Sequence, residues 1–140
     1  MRIKLEESAS VRNLKRGPGG TMDTEFIVQM LQLKHGGERP ELRIPGTMDS
    51  LKALAEAGIL TSDEAKCLRR AYRFQRNVEA CIRLMNASGS HEFPDDPLEL
   101  AKIAFLLGYE NVDALRAEVK DTFREVRDHF THIFAAAERG

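Results

Sequence analysis

An apolar stripe near the C-terminus constrains this chain more than any other feature. Val112, Leu115, Val119, Phe123, Val126, Phe130, Ile133 and Ala137 recur in steps of three and four, which puts them on one face of a long α-helix. Such a helix needs other helices to cover that face. The sequence supplies them. Thr61-Ser62-Asp63-Glu64 forms a capping box ahead of a long helix to about Asn86. Its stripe is Cys67, Ala71, Phe74, Val78, Cys81 and Met85, with Leu68, Tyr72 and Ile82 beside it. Asp96-Pro97 opens a compact apolar helix, Leu98 to Leu107, closed by Gly108, and Asn111 starts the last helix. Thr47 or Asp49 caps a short helix to Ala57 with Gly58 as its stop. A helix from Asp23 to His35, with Asp23 as N-cap, ends at Gly36-Gly37. Glu38 to Pro45 and Ala87 to Asp95 read as loops. The fold class is all-α: an antiparallel helical bundle of about five helices, with roughly two-thirds of residues helical. Phe74, Val78, Phe123 and Phe130 are the expected core.

The N-terminal part follows other rules. Met1 to Glu7 has no cap and little apolar face. Val11 to Lys15 alternates weakly and reads as a strand before a glycine turn, so a short N-terminal β-hairpin stays open as an addition to the bundle. The expected division is 1–20 as N-terminal segment and glycine turn, and 21–140 as the helical bundle domain. Strands of an incomplete sheet expose unpaired backbone groups, so a homodimer through this segment is one expectation.

Composition narrows the function classes. A net charge of -1 and a pI near 6.4 leave no basic face for nucleic acid. No 18 apolar residues run together, so no membrane span is expected. Met1 to Ser10 lacks the apolar centre of a signal peptide, which points to the cytoplasm. Cys67 and Cys81 lie 14 positions apart on one expected helix, about 21 Å and beyond disulfide reach.

The stretch KRGPGGTMDTEFIVQMLQL, Lys15 to Leu33, carries the chemistry. Gly19-Gly20 can take positive φ and present backbone N–H groups to a phosphate. Asp23 and Glu25 lie beside the turn, at the start of a dense apolar run. Together with the following KHGG, this stretch resembles the K-x-G-x-G-G-I-x-D/E-I-E-F-x-x-Q-x-L-x-L-x-x-G motif of bacterial glutamine synthetase adenylyltransferase/deadenylylase enzymes, themselves related to the PII uridylyltransferases. Lys15, Gly17, Gly19, Gly20, Asp23, Glu25, Phe26 and Gln29 match, while Thr21 and Thr24 replace apolar residues. AYRFQRNVEACIRL and LAKIAFLLGY extend the resemblance along the chain. It implies a helical domain following a nucleotidyltransferase domain, with ATP and Mg²⁺ as cofactors, glutamine synthetase as partner, and AMP transfer to or from a tyrosine hydroxyl.

Each candidate has a structural reading beside the chemical one. Lys15, Gly17, Gly19, Gly20, Asp23 and Glu25 are the nucleotide or phosphate candidates; equally, the glycines serve any tight turn and the carboxylates complement a helix N-terminus. Arg76 and Glu79 match polar positions on what the resemblance implies is the cleft helix, and at i, i+3 they can simply pair. Around them Gln75, Ala80, Cys81 and Arg83 depart from the family pattern F-L-R-x-x-E-H-R-L-Q. Asn13 stands where the resemblance implies a third metal-binding aspartate, and an amide binds Mg²⁺ weakly. Glu125, His129 and His132 share a helix face but read as solvated polar residues rather than a metal triad. A Gly-Ser turn followed by an Asp-x-Asp pair does not occur. The expected function is a helical domain that is not catalytic by itself, has no cofactor of its own and contains no catalytic residue or metal site. The alternative is a stand-alone non-catalytic protein-interaction module.

Overall fold

The computed structural model describes residues 13–85 and 92–139. Five α-helices account for nearly all of its regular structure: α1 Thr21–His35, α2 Thr47–Glu56, α3 Ser62–Met85, α4 Pro97–Leu107 and α5 Val112–Arg139. A 3₁₀ turn, Pro40–Leu42, sits in the loop between α1 and α2. Of the described residues 75% are helical, and none lies in a strand.

Local capping signals set three of the five helix starts and the end of α4. Thr61 and Glu64 exchange hydrogen bonds, Thr61 N–H to Glu64 Oε1 at 2.8 Å and Glu64 N–H to Thr61 Oγ1 at 3.0 Å. The Asp96 carboxylate accepts from the Glu99 N–H at 3.2 Å with Pro97 in the first turn. Asn111 Oδ1 accepts from the Ala114 N–H at 2.8 Å. Gly108 closes α4 in the left-handed conformation, φ 82°.

Three expectations are corrected. Neither Thr47 nor Asp49 caps α2: its N-cap is Gly46, at φ 90°, with no side-chain cap bond, and both residues lie inside the helix. Asp23 is not the N-cap of α1: the helix starts two residues earlier, behind an extended Gly20, and Asp23 lies inside its first turn. The β-hairpin is not supported either. Residues 13–20 form successive turns, because Asn13 Oδ1 accepts from both the Lys15 and Arg16 N–H groups and curls the chain before it can extend. An isolated antiparallel bridge between Asn13 and Glu92 is the β pairing among the described residues. Residues 1–12, where the remainder of the expected hairpin falls, lie outside the described residues.

The apolar residues gather in two clusters. One contains Ile27, Val28, Leu31, Leu42, Leu51, Leu54, Leu60, Leu68, Ala71, Val126, Phe130 and Ile133. The other contains Leu14, Val78, Cys81, Ile82, Phe93, Leu100, Ile103, Ala104, Leu115 and Val119. The early half of α3 shares a cluster with the late half of α5, and the late half of α3 with the early half of α5. These two long helices therefore run antiparallel and tie the clusters together. By contrast, α1 runs alongside α5 in the same direction, since Asp23 meets Arg127 and Lys34 reaches the Ala137 carbonyl. Val78 and Phe130 are buried as expected, whereas Phe74 and Phe123 are half-buried and pack on the second cluster from its edge.

Candidate functional site

Between the clusters lies a polar waist. On α3 it is marked by Gln75, between Ala71 and Val78; on α5 by Thr122, between Val119 and Val126. Thr21, Asp23 and Thr24 from α1 are buried there too. The waist encloses the glycine turn. Gly19 has φ 82°, and a Cβ on it would lie 1.9 Å from the Phe123 carbonyl oxygen on α5. Any side chain there would collide with another helix's backbone. A Cβ on Gly20 would lie 2.6 Å from the Leu14 carbonyl oxygen. The turn is thus pressed between its own preceding residues and α5.

Three helices hold it. From α1, Asp23 is fully buried and its Oδ2 accepts from the Gly19 N–H at 2.6 Å. From α3, Gln75 Nε2 donates to the Gly19 carbonyl at 2.7 Å. From α5, Arg127 Nη1 donates to Asp23 Oδ2 at 3.2 Å, and its guanidinium stacks over the Phe130 ring at 4.6 Å. The two bonds to the Asp23 carboxylate are charge-assisted, the stronger class, and the neutral Gln75 bond holds the carbonyl of the same Gly19 whose N–H Asp23 accepts.

The turn's donors are engaged inside the chain. Gly17 N–H reaches the Asn13 carbonyl at 2.9 Å, Gly20 N–H the Gly17 carbonyl at 2.8 Å, Thr21 N–H the Leu14 carbonyl at 2.9 Å and Met22 N–H the Lys15 carbonyl at 2.9 Å. With Lys15 and Arg16 bonded to Asn13 and Gly19 to Asp23, every N–H from residue 15 to 22 has an internal acceptor (Pro18 has none to offer). An anion nest needs several such donors pointing outward.

The remaining candidates lie nearby but apart. Glu25 Oε2 accepts from the Tyr72 hydroxyl at 3.2 Å, linking α1 to α3. Burial first, then the Glu25 charge and hydrogen bond, push the Tyr72 phenol above its ordinary value, against a lowering hydrogen bond from Thr47. Arg76, next to Gln75 on α3, is exposed, and Glu79, one turn beyond Gln75, is buried, the two 3.9 Å apart. Lys15 is half-buried and Arg16 exposed at the turn's edge. Glu125 is engaged by Arg70, which also bridges to Glu118 at 3.0 Å, and accepts from the Cys67 thiol at 3.4 Å. Cys67 and Cys81 are free thiols.

These carboxylates are not arranged to hold Mg²⁺. Asp23 Oδ2 already accepts two donors in a site closed to solvent, and Glu25 faces Tyr72. Among the described residues no group of three or more His, Cys, Asp or Glu stands together as a metal site. This donor set does not fit a Mg²⁺–nucleotide. Gln75 and Arg127 were the site residues that sequence reasoning missed. For Gln75 a signal existed: it falls in the series Ala71, Gln75, Val78, Ile82, a polar residue on a buried helical face. For Arg127 none did, since its partner is 104 residues away.

A helical bundle folded around a buried glycine turn is the class that fold and site define. Residues 2–134 match the family described as GlnD PII-uridylyltransferase, and the chain belongs to that family. It is similar to proteins named bifunctional glutamine synthetase adenylyltransferase/adenylyl-removing enzyme. It is 43% identical to that of Streptomyces avermitilis over 123 residues, covering 87% of this chain and 12% of that protein. With that of Agrobacterium fabrum the identity is 37% over 122 residues, covering 87% of this chain and 12% of the relative. With that of Caulobacter vibrioides it is 36% over 131 residues, covering 94% and 13%. The chain therefore spans about an eighth of the length of these curated relatives.

Proposed function

We propose that this chain acts as the helical part of a glutamine synthetase adenylyltransferase-like nucleotidyltransferase, packing behind the nucleotidyltransferase site and not catalytic by itself. The observation that carries this reading is the engagement of Asp23, which holds Gly19 and Arg127 and has no exposed surface. Transfer at a phosphate needs metal-bound carboxylates facing the substrate; Asp23 is closed to solvent and half-buried Glu25 is bonded to Tyr72. On this reading Gly17, Gly19, Gly20, Asp23 and Glu25 are structural. Lys15 lies at the turn's edge, and Arg76 and Glu79 pair with each other on α3. ATP and Mg²⁺ would be held by a nucleotidyltransferase domain, glutamine synthetase would be the protein acted upon, and the setting would be the cytoplasm.

The alternative of a non-catalytic protein-interaction module draws support from one observation, an exposed apolar face on α4 with Phe105 83% exposed. The two readings part in one experiment. The chain is incubated with labelled ATP, Mg²⁺ and glutamine synthetase, alone and with a separately produced nucleotidyltransferase domain from one of the relatives. No transfer by the chain alone, with transfer raised in the mixture, is the expected outcome. No rise in the mixture would favour the interaction module. Label transferred by the chain alone, and lost in Glu25→Gln at unchanged circular dichroism, would overturn the non-catalytic reading.

A further inference from the structure

No helix among the described residues is long and apolar enough to cross a membrane, yet α4 shows solvent a face suited to burial. Leu98 is 63% exposed, Phe105 83% and Leu106 56%, on the same helix that buries Leu100, Ile103 and Ala104 in the second cluster. The helix is apolar on both sides, the pattern of an element covered on both sides. Ala101, Lys102, Phe105 and Leu106, with Met85 from the end of α3, line a shallow groove of about 350 Å³. Leu98 and Phe105 are two turns apart, about 10.5 Å along the axis, and small Ala101 lies between them.

This arrangement matches itself. A two-fold axis through the middle of α4, near Ala101 and Lys102, lays one α4 antiparallel against another. Leu98 of each copy then meets Phe105 of the other, with Ala101 at the centre where the backbones approach. The charges select the direction. Glu99 and Lys102 lie on the same side of this seam, and the antiparallel two-fold keeps that side common to both copies. Lys102 of each copy then comes beside Glu99 of the other, in two equivalent pairs. A parallel pairing places these charges on opposite sides of the seam and forms neither pair. We propose that the outer face of α4 is a homodimer interface whose occupant is the α4 face of a second copy of this chain. The patch is one short helix wide, below the area of a standard stable interface, so the dimer is a weak one that forms with rising concentration.

Sedimentation velocity on the chain over a wide concentration range tests this. The expected mass rises from 15.8 kDa toward twice that value. Phe105→Glu should weaken association on the order of tenfold or more, as for removal of a central apolar anchor. Because Phe105 is 83% exposed, the variant should keep its fold, which circular dichroism checks. Lys102→Glu should also weaken the dimer, and adding Glu99→Lys should restore it. A chain that stays monomeric throughout would overturn the proposal. So would a dimer indifferent to Phe105→Glu but lost on removal of residues 1–12, which would move the contact to the N-terminal segment.

Discussion

Leu68 and Gln75 stand two turns apart on α3, both buried, and meet their surroundings in different ways. Leu68 sits among apolar side chains from α1, α2 and α5, where any group of similar volume keeps most of the stabilisation. Gln75 touches one carbonyl of one glycine through a directed bond. The difference teaches where this fold is tolerant and where it is specific. The two apolar clusters supply the bulk of the burial; the waist between them fixes where α1, α3 and α5 stand relative to the turn.

Substitutions sharpen that comparison, beginning with the turn. Gly19→Ala should cost about 4 kcal/mol or more, because the added carbon requires both a positive φ and a shift of the α5 backbone. A loss under 1 kcal/mol in denaturant melts would show that the turn can leave α5 without consequence. Asp23→Ala should cost about 3–5 kcal/mol by leaving Arg127 without its carboxylate and the Gly19 N–H without an acceptor. In a double-mutant cycle with Arg127→Ala, a coupling near zero would show that Arg127 does not support Asp23. Leu68→Ala, the comparison from the apolar side, should cost about 2–5 kcal/mol, while Leu68→Met should stay below about 1.5 kcal/mol.

Smaller effects test the edges of the waist. Gln75→Leu restores the residue that the related motif carries. It forfeits the bond to Gly19 but also removes an Oε1 that accepts no hydrogen bond among the described residues, so the net change should stay within about 1 kcal/mol. A loss of several kcal/mol by thermal melting would make that single bond as decisive as Asp23. The smallest effect is one of pH. The Tyr72 phenol is raised in the folded chain, so the folded state favours the protonated form. The contribution is fully present below the ordinary tyrosine value near pH 10 and is lost as pH rises from there through the raised folded value. Stability measured from pH 8 to 11 should fall less steeply in Tyr72→Phe than in the native chain. Equal slopes would place the alkaline loss elsewhere.

Legibility in the sequence followed the range of the interaction. Thr61 with Glu64, Asp96 with Glu99 and Asn111 with Ala114 act within one turn, and each helix start they predict is found. The stripe on α5 gave the all-α architecture because periodicity survives whichever partner covers it. What failed to show was side-chain direction at the polar positions. Asp23 has the right type and place for a cap, but Gly20 already starts the helix, leaving the carboxylate free to reach back to Gly19. On α3 the expected stripe is buried at Ala71, Val78 and Cys81, with Leu68 and Ile82 beside it, and half-buried Phe74 is the departure. Burial turns toward Gln75 and Glu79 and away from Phe74, because the waist demands polar groups where an apolar stripe would place a ring.

The passage of α3 and α5 through both clusters has a dynamic consequence. Neither end of the bundle can melt alone, since unwinding either end of α3 strips partners from α5 and loosens the waist between them. Opening events that expose the amides at Leu68 and Val78 should therefore coincide, and native-state hydrogen exchange at these two positions should report the same free energy. The molecule has two cores by packing and a single cooperative unit by connectivity.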